Sequence, residues 1–234
     1  MLLLSIDDTD NLNAPRGTGK LARAIADALA MDYPVYGVTR HQLFVHPDIP
    51  YTSHNSCAVI HVEANGTGAA DTIFARAQEM MLDDFIEDSD PGVAVALPEQ
   101  INPSLIAFGQ DAKRSIVTQK QARALAKNLG IRLKGLGGTE DGVIGAMAGL
   151  GLAATGNDGR FLQRGAIREL TGPCSVEQLL AAGIDMISTL DGRTFRRGMV
   201  QAREGKPPRP CPVNGKTVLF VEVHGCILQE IQRD

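Results

Sequence analysis

The sequence predicts a mixed α+β chain, and three observations predict it. A short apolar run, Leu2, Leu3, Leu4 and Ile6, opens the chain as a buried strand and ends directly in Asp7-Asp8-Thr9-Asp10. Strand-like and helix-like patterns then alternate through the first hundred residues. Beyond them, two helical patterns flank a short strand and a glycine-rich loop, Gly135-Leu136-Gly137-Gly138-Thr139.

The elements follow in order. Turn residues Asn11, Asn13, Pro15, Arg16 and Gly17 lead from the first strand into a helix over residues 19–30. Strands are expected near 35–45 and 57–63, a helix over 69–81 and a strand over 93–97. This β-α-β-β-α-β sequence is the ferredoxin-like order. The acidic run 83–92 reads as a solvated loop, and Asn65-Gly66-Thr67-Gly68 as a turn into the second helix. In the second half Thr118 caps a helix over 119–129 that stops at Gly130. A strand over 131–134 delivers the chain into the glycine-rich loop, and a further helix starts near Glu140. Its Gly145 and Gly149 would let another backbone approach, while Val143, Met147 and Leu150 pack. Ser175 and Gln178 form a capping-box pattern. The chain closes with a hairpin-like strand pair, 185–190 and 216–223, around a basic, proline-rich loop at 193–212. The expected organisation is a ferredoxin-like half, 1–98, packed against a second α/β lobe, 99–234; one continuous unit is the alternative.

Composition narrows the function classes. The 234 residues, 44% hydrophobic, suffice for a proper core. With 23 basic and 27 acidic residues the net charge is −4, which argues against a protein built to grip nucleic acid along a basic stripe. The absence of Trp and an aromatic content of 4% leave few platforms for stacking bases. The opening apolar run is too short for a signal peptide and lacks a basic start, and no stretch is long enough to span a membrane, so a cytoplasmic chain is expected. Cys57, Cys174, Cys211 and Cys226 form no paired zinc-type spacing and read as reduced thiols.

The chemistry concentrates at the first turn. Asp7, Asp8 and Asp10 at the carboxyl end of a strand offer hard oxygen ligands to a divalent cation such as Mg²⁺. The helix start behind Gly17 and Gly19 offers free N–H groups to an anion. The bland alternative is turn and N-cap chemistry. Adjacent Asp7 and Asp8 repel each other, and a cation would relieve that repulsion. Two better-known phosphate motifs are excluded. Gly19-Lys20 is followed by Leu21 and preceded by Ala14 where a P-loop needs glycine. The segment 135–142 carries Glu140 where a dinucleotide fingerprint needs its last glycine.

Three segments in the same order resemble the archaeal tRNA-isoleucine agmatinylcytidine (agmatidine) synthetase family. Residues 6–10, IDDTD, match that family's Ile-Asp-Asp-Thr-Asp. Residues 46–59, HPDIPYTSHNSCAV, parallel its Asn-Pro-Asn-Ile-Pro-Trp-Lys-Thr-Arg-Gly-Asn-Gly-Ala-Val stretch, and residues 138–151, GTEDGVIGAMAGLG, its Gly-Leu-Ile-Gly-Ala-Leu-Ala-Ala-Ile-Gly helix. The resemblance implies an ATP-dependent kinase-like domain joined to a ferredoxin-like domain, with ATP activating a tRNA cytidine that agmatine then attacks. By carry-over Asp7, Asp8 and Asp10 would hold Mg²⁺ and the ATP phosphates, and Thr9 with Gly17, Thr18 and Gly19 would cradle them. Alignment on Leu21-Ala22 places Thr18 on the family's phosphorylated threonine, although the loop lengths differ and the next threonine is Gly19.

Other departures bear on substrate. The family's Lys, Arg and Asn fall on Thr52, His54 and Ser56, which removes two cations from a phosphate-facing loop. No part of the sequence corresponds to the family's OB-fold and zinc ribbon, so tRNA is not expected as a partner of this chain alone. The expected function is therefore Mg²⁺- and ATP-dependent phosphoryl transfer or ligation on a smaller acceptor, for which an amine is a candidate. Arg16 and Lys20 would compensate the transferring phosphoryl charge, Gly137, Gly138 and Thr139 would seat the nucleotide's other end, and His46 and His54 would contact substrate. The alternative is a nucleotide-binding regulatory module, or a partner of a separate RNA-binding subunit, that carries out no chemistry.

Overall fold

The computed structural model describes residues 1–51, 54–203 and 205–232. They form two compact units, Met1–Thr155 and Gly156–Asp234. In the first unit the elements run β1 (Leu2–Asp7), α1 (Thr18–Leu29), β2 (Val35–Gln42), β3 (Ser56–Val62), α2 (Thr67–Asp83) and β4 (Gly92–Ala96). Then come α3 (Pro103–Asp111), α4 (Gln119–Leu129), β5 (Arg132–Gly135) and α5 (Gly142–Ala154). The strands lie in the order β5-β4-β1-β3-β2, each antiparallel to its neighbours. The four strands of the β-α-β-β-α-β segment thus take the ferredoxin-like arrangement, with β5 added at one edge.

Strand alternation divides the core in two. Along β1, Leu2, Leu4 and Ile6 share one face, and Leu3, Ser5 and Asp7 the other. The second face meets α5, whose Met147, Leu150 and Leu152 pack with Leu3, Val59 and Ala94. No residue of α1 or α2 belongs to that cluster; these helices bury Leu21, Ile25, Ile73 and Phe74 instead. Helix α5 is buried nearly all round, and its small residues permit this. A Cβ on Gly149 would lie 2.4 Å from Ser5 Oγ, and one on Gly151 would lie 2.1 Å from the Leu105 carbonyl oxygen in α3. The expectation that Gly145 and Gly149 serve close packing agrees with this geometry.

Helix α3 has no counterpart among the sequence expectations, although Asn102 caps it through Leu105 N–H and Pro103 opens it. The compact units part between Thr155 and Gly156, not at 98/99. The reason is α5, which lies against β1, β3 and β4 and so binds residues 99–155 into the first unit.

The second unit contains β6 (Arg160–Gln163), β7 (Pro173–Ser175), α6 (Val176–Ala181), β8 (Met186–Ser188) and β9 (Thr194–Phe195). After these come β10 (Met199–Gln201), β11 (Cys211–Val213), β12 (Lys216–His224) and β13 (Ile227–Glu230). Its sheet follows β7-β10-β13-β12-β8-β9, with β11 against β12. Two expectations need correction. The segments 185–190 and 216–223 are not a hairpin, because β8 and β12 run parallel and the hairpin partner of β12 is β13. The basic segment 193–212 is not one loop, since it supplies β9, β10 and the start of β11. The capping box at Ser175 and Gln178 does start a helix, α6. All four cysteines are free thiols.

Candidate functional site

Asp7 ends β1 on the face covered by α5. A Cβ on Gly145 would fall 1.7 Å from Asp7 Oδ2, so glycine there is what leaves the carboxyl its place. Burial, then the charges of Asp8 and Asp10, push the Asp7 carboxyl well above the usual carboxylate range. Asp8 turns the chain out of the strand with φ of 54°, the left-handed region, at a cost of roughly 1–2 kcal/mol for an L-residue. Its carboxyl is pushed up to about 7, by burial first and then by Asp90, Asp10 and Asp141. Asp88 and Glu140, at φ of 62° and 64°, also stand in the left-handed region, on the neighbouring loops. Such strain gathered in one place is a mark of a functional site.

Two cavities meet at Asp8. One, of about 300 Å³, is of mixed character: Asp7, Asp8, Asp48 and Asp141 line it with Asn55, Thr118 and Gln119, beside apolar Leu43, Ile49, Ile116, Val117 and Ile144. The other, of about 290 Å³, is acidic and is lined by Asp8, Asp10, Asp88 and Asp90 with Asn11 and Tyr51. Pro50 borders both.

Behind the acidic cavity the loop is tied by a hydrogen-bonded chain. Thr9 donates to Thr18 Oγ1 from its N–H at 3.3 Å and from its hydroxyl at 3.1 Å. Thr18 Oγ1 in turn donates to Asp10 Oδ1 at 2.8 Å. Arg16 donates to the Thr9 carbonyl at 2.6 Å and to Thr9 Oγ1 at 2.9 Å. Its other nitrogens reach Asp84 Oδ2 at 2.6 Å and the Asp84 carbonyl at 2.5 Å.

The expected site residues therefore separate into groups. Asp7, Asp8, Asp10, Thr9 and Thr18 come together. Arg16 is buried and its guanidinium is occupied by Asp84 and Thr9, which leaves it structural as it stands. Gly17 is the N-cap of α1, and Gly19 and exposed Lys20 follow in its first turn, outside the linings of both cavities. Gly137 and Gly138 pack against Phe85 and Asp90, and Thr139 donates its N–H to Asp90 Oδ1. These glycines answer to close packing on the 85–90 segment. His46 stacks on Phe44 at 5.5 Å and lies 3.6 Å from Asp48. His54 is exposed, and Thr52 lies outside the described residues.

The sequence reading missed Asp90, Asp141 and Gln119. Gln119 donates to the Thr139 carbonyl at 2.8 Å and to Asp141 Oδ1 at 2.7 Å. The run 83–92 is not merely a solvated loop: Asp84 holds Arg16, and Asp90 holds Thr139 and faces Asp8. A signal for this was available, since Asp90 directly precedes a Pro-Gly step into a buried strand.

The donors fit a hard cation in kind. Among the described residues no three His, Cys, Asp or Glu side chains are gathered tightly enough to enclose a metal ion by themselves. Mg²⁺ does not require this, because it usually takes one or two carboxylates and keeps water and phosphate oxygens in its remaining positions. No helix among the described residues is long and apolar enough to cross a membrane.

Fold and site together define a ferredoxin-like α+β unit with a carboxylate cluster at the end of its first strand. No protein-family model matches the chain, and no curated protein matches it. In structure it is similar to a tRNA fluorescent labeling enzyme, at 22% identity and a TM-score of 0.55 over 64% of this chain and 35% of that one. It is equally similar to TiaS in its complex with an isoleucine tRNA and ATP, at 22% and 0.55 over 64% of this chain and 36% of that one. The apo form of TiaS, a tRNA agmatidine synthetase, aligns at 22% and 0.53 over 64% and 35%. The likeness is one of fold, and it agrees with the family resemblance carried by IDDTD and its companion segments. The chain spans about a third of the length of these structures, 35–36%.

Proposed function

We propose that this chain is a Mg²⁺- and ATP-dependent phosphotransferase or ligase that acts on a small acceptor. The observation that carries the reading is Asp8, which stands in the left-handed region, faces Asp10, Asp90 and Asp141, and forms the shared wall of an acidic cavity and a mixed polar and apolar one. In this reading one or two of Asp7, Asp8 and Asp10 hold Mg²⁺, with water and phosphate oxygens in its other positions, and the cation when bound would neutralise charge on the phosphoryl oxygens. The Thr18 hydroxyl, which lines neither cavity, donates to Asp10 and would hold that carboxylate in place for the cation. The second cavity, which mixes four carboxylates with apolar Leu43, Ile49, Ile116, Val117 and Ile144, suits a small amine. The fold relatives solved in complexes with tRNA and ATP, or with an ATP analogue and agmatine, support an ATP-dependent ligase-like role at this coarse level.

A second reading, nucleotide binding without chemistry, draws on Arg16 and Lys20. The first is engaged elsewhere and the second lies outside both cavities, so neither compensates a transition-state charge as placed. The deciding experiment incubates the protein with Mg²⁺ and ATP labelled on the γ-phosphate, with and without agmatine or other short amines. Label should leave ATP with wild type and not with Asp8→Asn. Label retained in ATP despite Mg²⁺-dependent binding would favour the sensor reading, and the absence of any binding would end both.

A further inference from the structure

Loops that converge on the acidic cavity bring like charges together: Asp8, Asp10, Asp88 and Asp90 share its lining, and Asp141 stands nearby at the rim of the other cavity. With no cation present, their repulsion would drive the 8–17 loop and the 84–90 loop apart. Two ties oppose this. Asn11 Nδ2 donates to the Glu87 carbonyl at 2.9 Å. Arg16 grips both loops with one buried guanidinium, two bonds on the Thr9 side and two on the Asp84 side. Its side chain is 6% exposed, against 56% for Asp84, so the pair is anchored from inside. Thr9 passes the constraint on, because its hydroxyl bonds Thr18, which holds Asp10.

We infer that Arg16 is a positioning residue: its guanidinium and Asp84 form a clamp that keeps the 8–10 arch and the 84–90 loop in cation-binding register before any cation arrives. This rests on the proposed Mg²⁺–nucleotide reading and replaces the phosphate-binding role expected for Arg16. A planar fork that bonds a carbonyl and a hydroxyl on one side and a carboxylate and a carbonyl on the other cannot be copied by an ammonium group. In the absence of the clamp, part of the cation's binding free energy goes into assembling the loops, and its apparent affinity falls.

The test compares wild type with Arg16→Met, Arg16→Lys and the milder Asp84→Asn. Arg76→Met serves as control, since Arg76 makes a like pair with Asp32 at 2.6 Å away from both cavities. Titration calorimetry with MgATP should show affinity reduced about tenfold or more in both Arg16 variants and by less in Asp84→Asn, with Arg76→Met unchanged even if its melting temperature falls equally. Hydrogen exchange without metal should show the amides of residues 8–18 exchanging about tenfold faster in the clamp variants, while β3 and β4 stay protected. Unchanged MgATP affinity with unchanged exchange overturns the clamp. If wild type binds no MgATP, the functional reading fails, and exchange alone decides: faster exchange confined to 8–18 keeps the clamp, unaltered exchange removes it.

Discussion

Asp8 combines two unfavourable features, a left-handed backbone and a carboxyl raised to about 7 among other carboxylates. Removing either should stabilise the fold and harm the chemistry. Asp8→Gly relieves both and should raise stability by roughly 1–2 kcal/mol in metal-free buffer while abolishing MgATP-dependent activity. The pH dependence of Asp8→Asn separates the charge from the backbone. The free carboxyl titrates near 3.8 and the folded one near 7, so as pH rises the unfolded chain ionises first and wild type loses relative stability between those values. The stability gap between Asp8→Asn and wild type, followed by urea unfolding in a chelator, should be smallest below pH 4 and complete above pH 7. A gap independent of pH would mean that Asp8 is not held among unneutralised carboxylates. The carboxylate cluster is legible from Asp7, Asp8 and Asp10 alone, because turn chemistry accounts for single acidic residues there but not for the repulsion between adjacent Asp7 and Asp8. The role of Arg16 is not legible, since its partner Asp84 lies 68 residues away and only the fold brings them together.

At the scale of elements, α5 decides how the sheet, the site and α3 fit together. The same substitution should have opposite signs at two glycines. Gly151→Ala would place a Cβ 2.1 Å from the Leu105 carbonyl oxygen and should cost about 1–3 kcal/mol by forcing α3 and α5 apart. Gly68→Ala, near the start of α2 with nothing within 4 Å, should stabilise by up to about 1 kcal/mol. Thermal unfolding of the two variants measures both, and a stable Gly151→Ala would show that the α3–α5 contact is softer than its geometry. Helices α1 and α4 are readable in advance because each has one apolar face, and α4 carries a capping box at Thr118 and Gln121. Helix α5 offers no such face, as it is enclosed on all sides, and its start near Glu140 is read only from composition. The β8–β12 pairing is hidden for another reason: both strands look alike as segments, and direction is set by the intervening chain.

For the molecule as a whole, the net charge of −4 understates how unevenly acid is distributed, since the carboxylates crowd one rim of the first unit. A cation that binds there binds the native state alone, so millimolar Mg²⁺ should raise the melting temperature at low ionic strength, and a chelator should reverse the gain. Asp8→Asn should lose most of it, whereas Arg76→Met should keep it. An equal gain in all variants would mark general screening. The extent of the first unit is the least legible property of the sequence, because it depends on α5 returning to β1, β3 and β4 across more than forty residues of chain.

Strand β5, added at the margin of the ferredoxin-like sheet, has a consequence for behaviour in a crowded solution. An open margin exposes a row of backbone donors and acceptors that a second chain can extend into an aggregate. This one is four residues long and ends at a glycine. Its Arg132 pairs with Asp71 at 2.5 Å and its Lys134 donates to Gln78 at 3.0 Å, so two cationic side chains fold back onto α2 beside the open row. A neighbouring strand approaching that margin would have to desolvate both charges, and the strand that completes the sheet thereby also guards it against polymerisation.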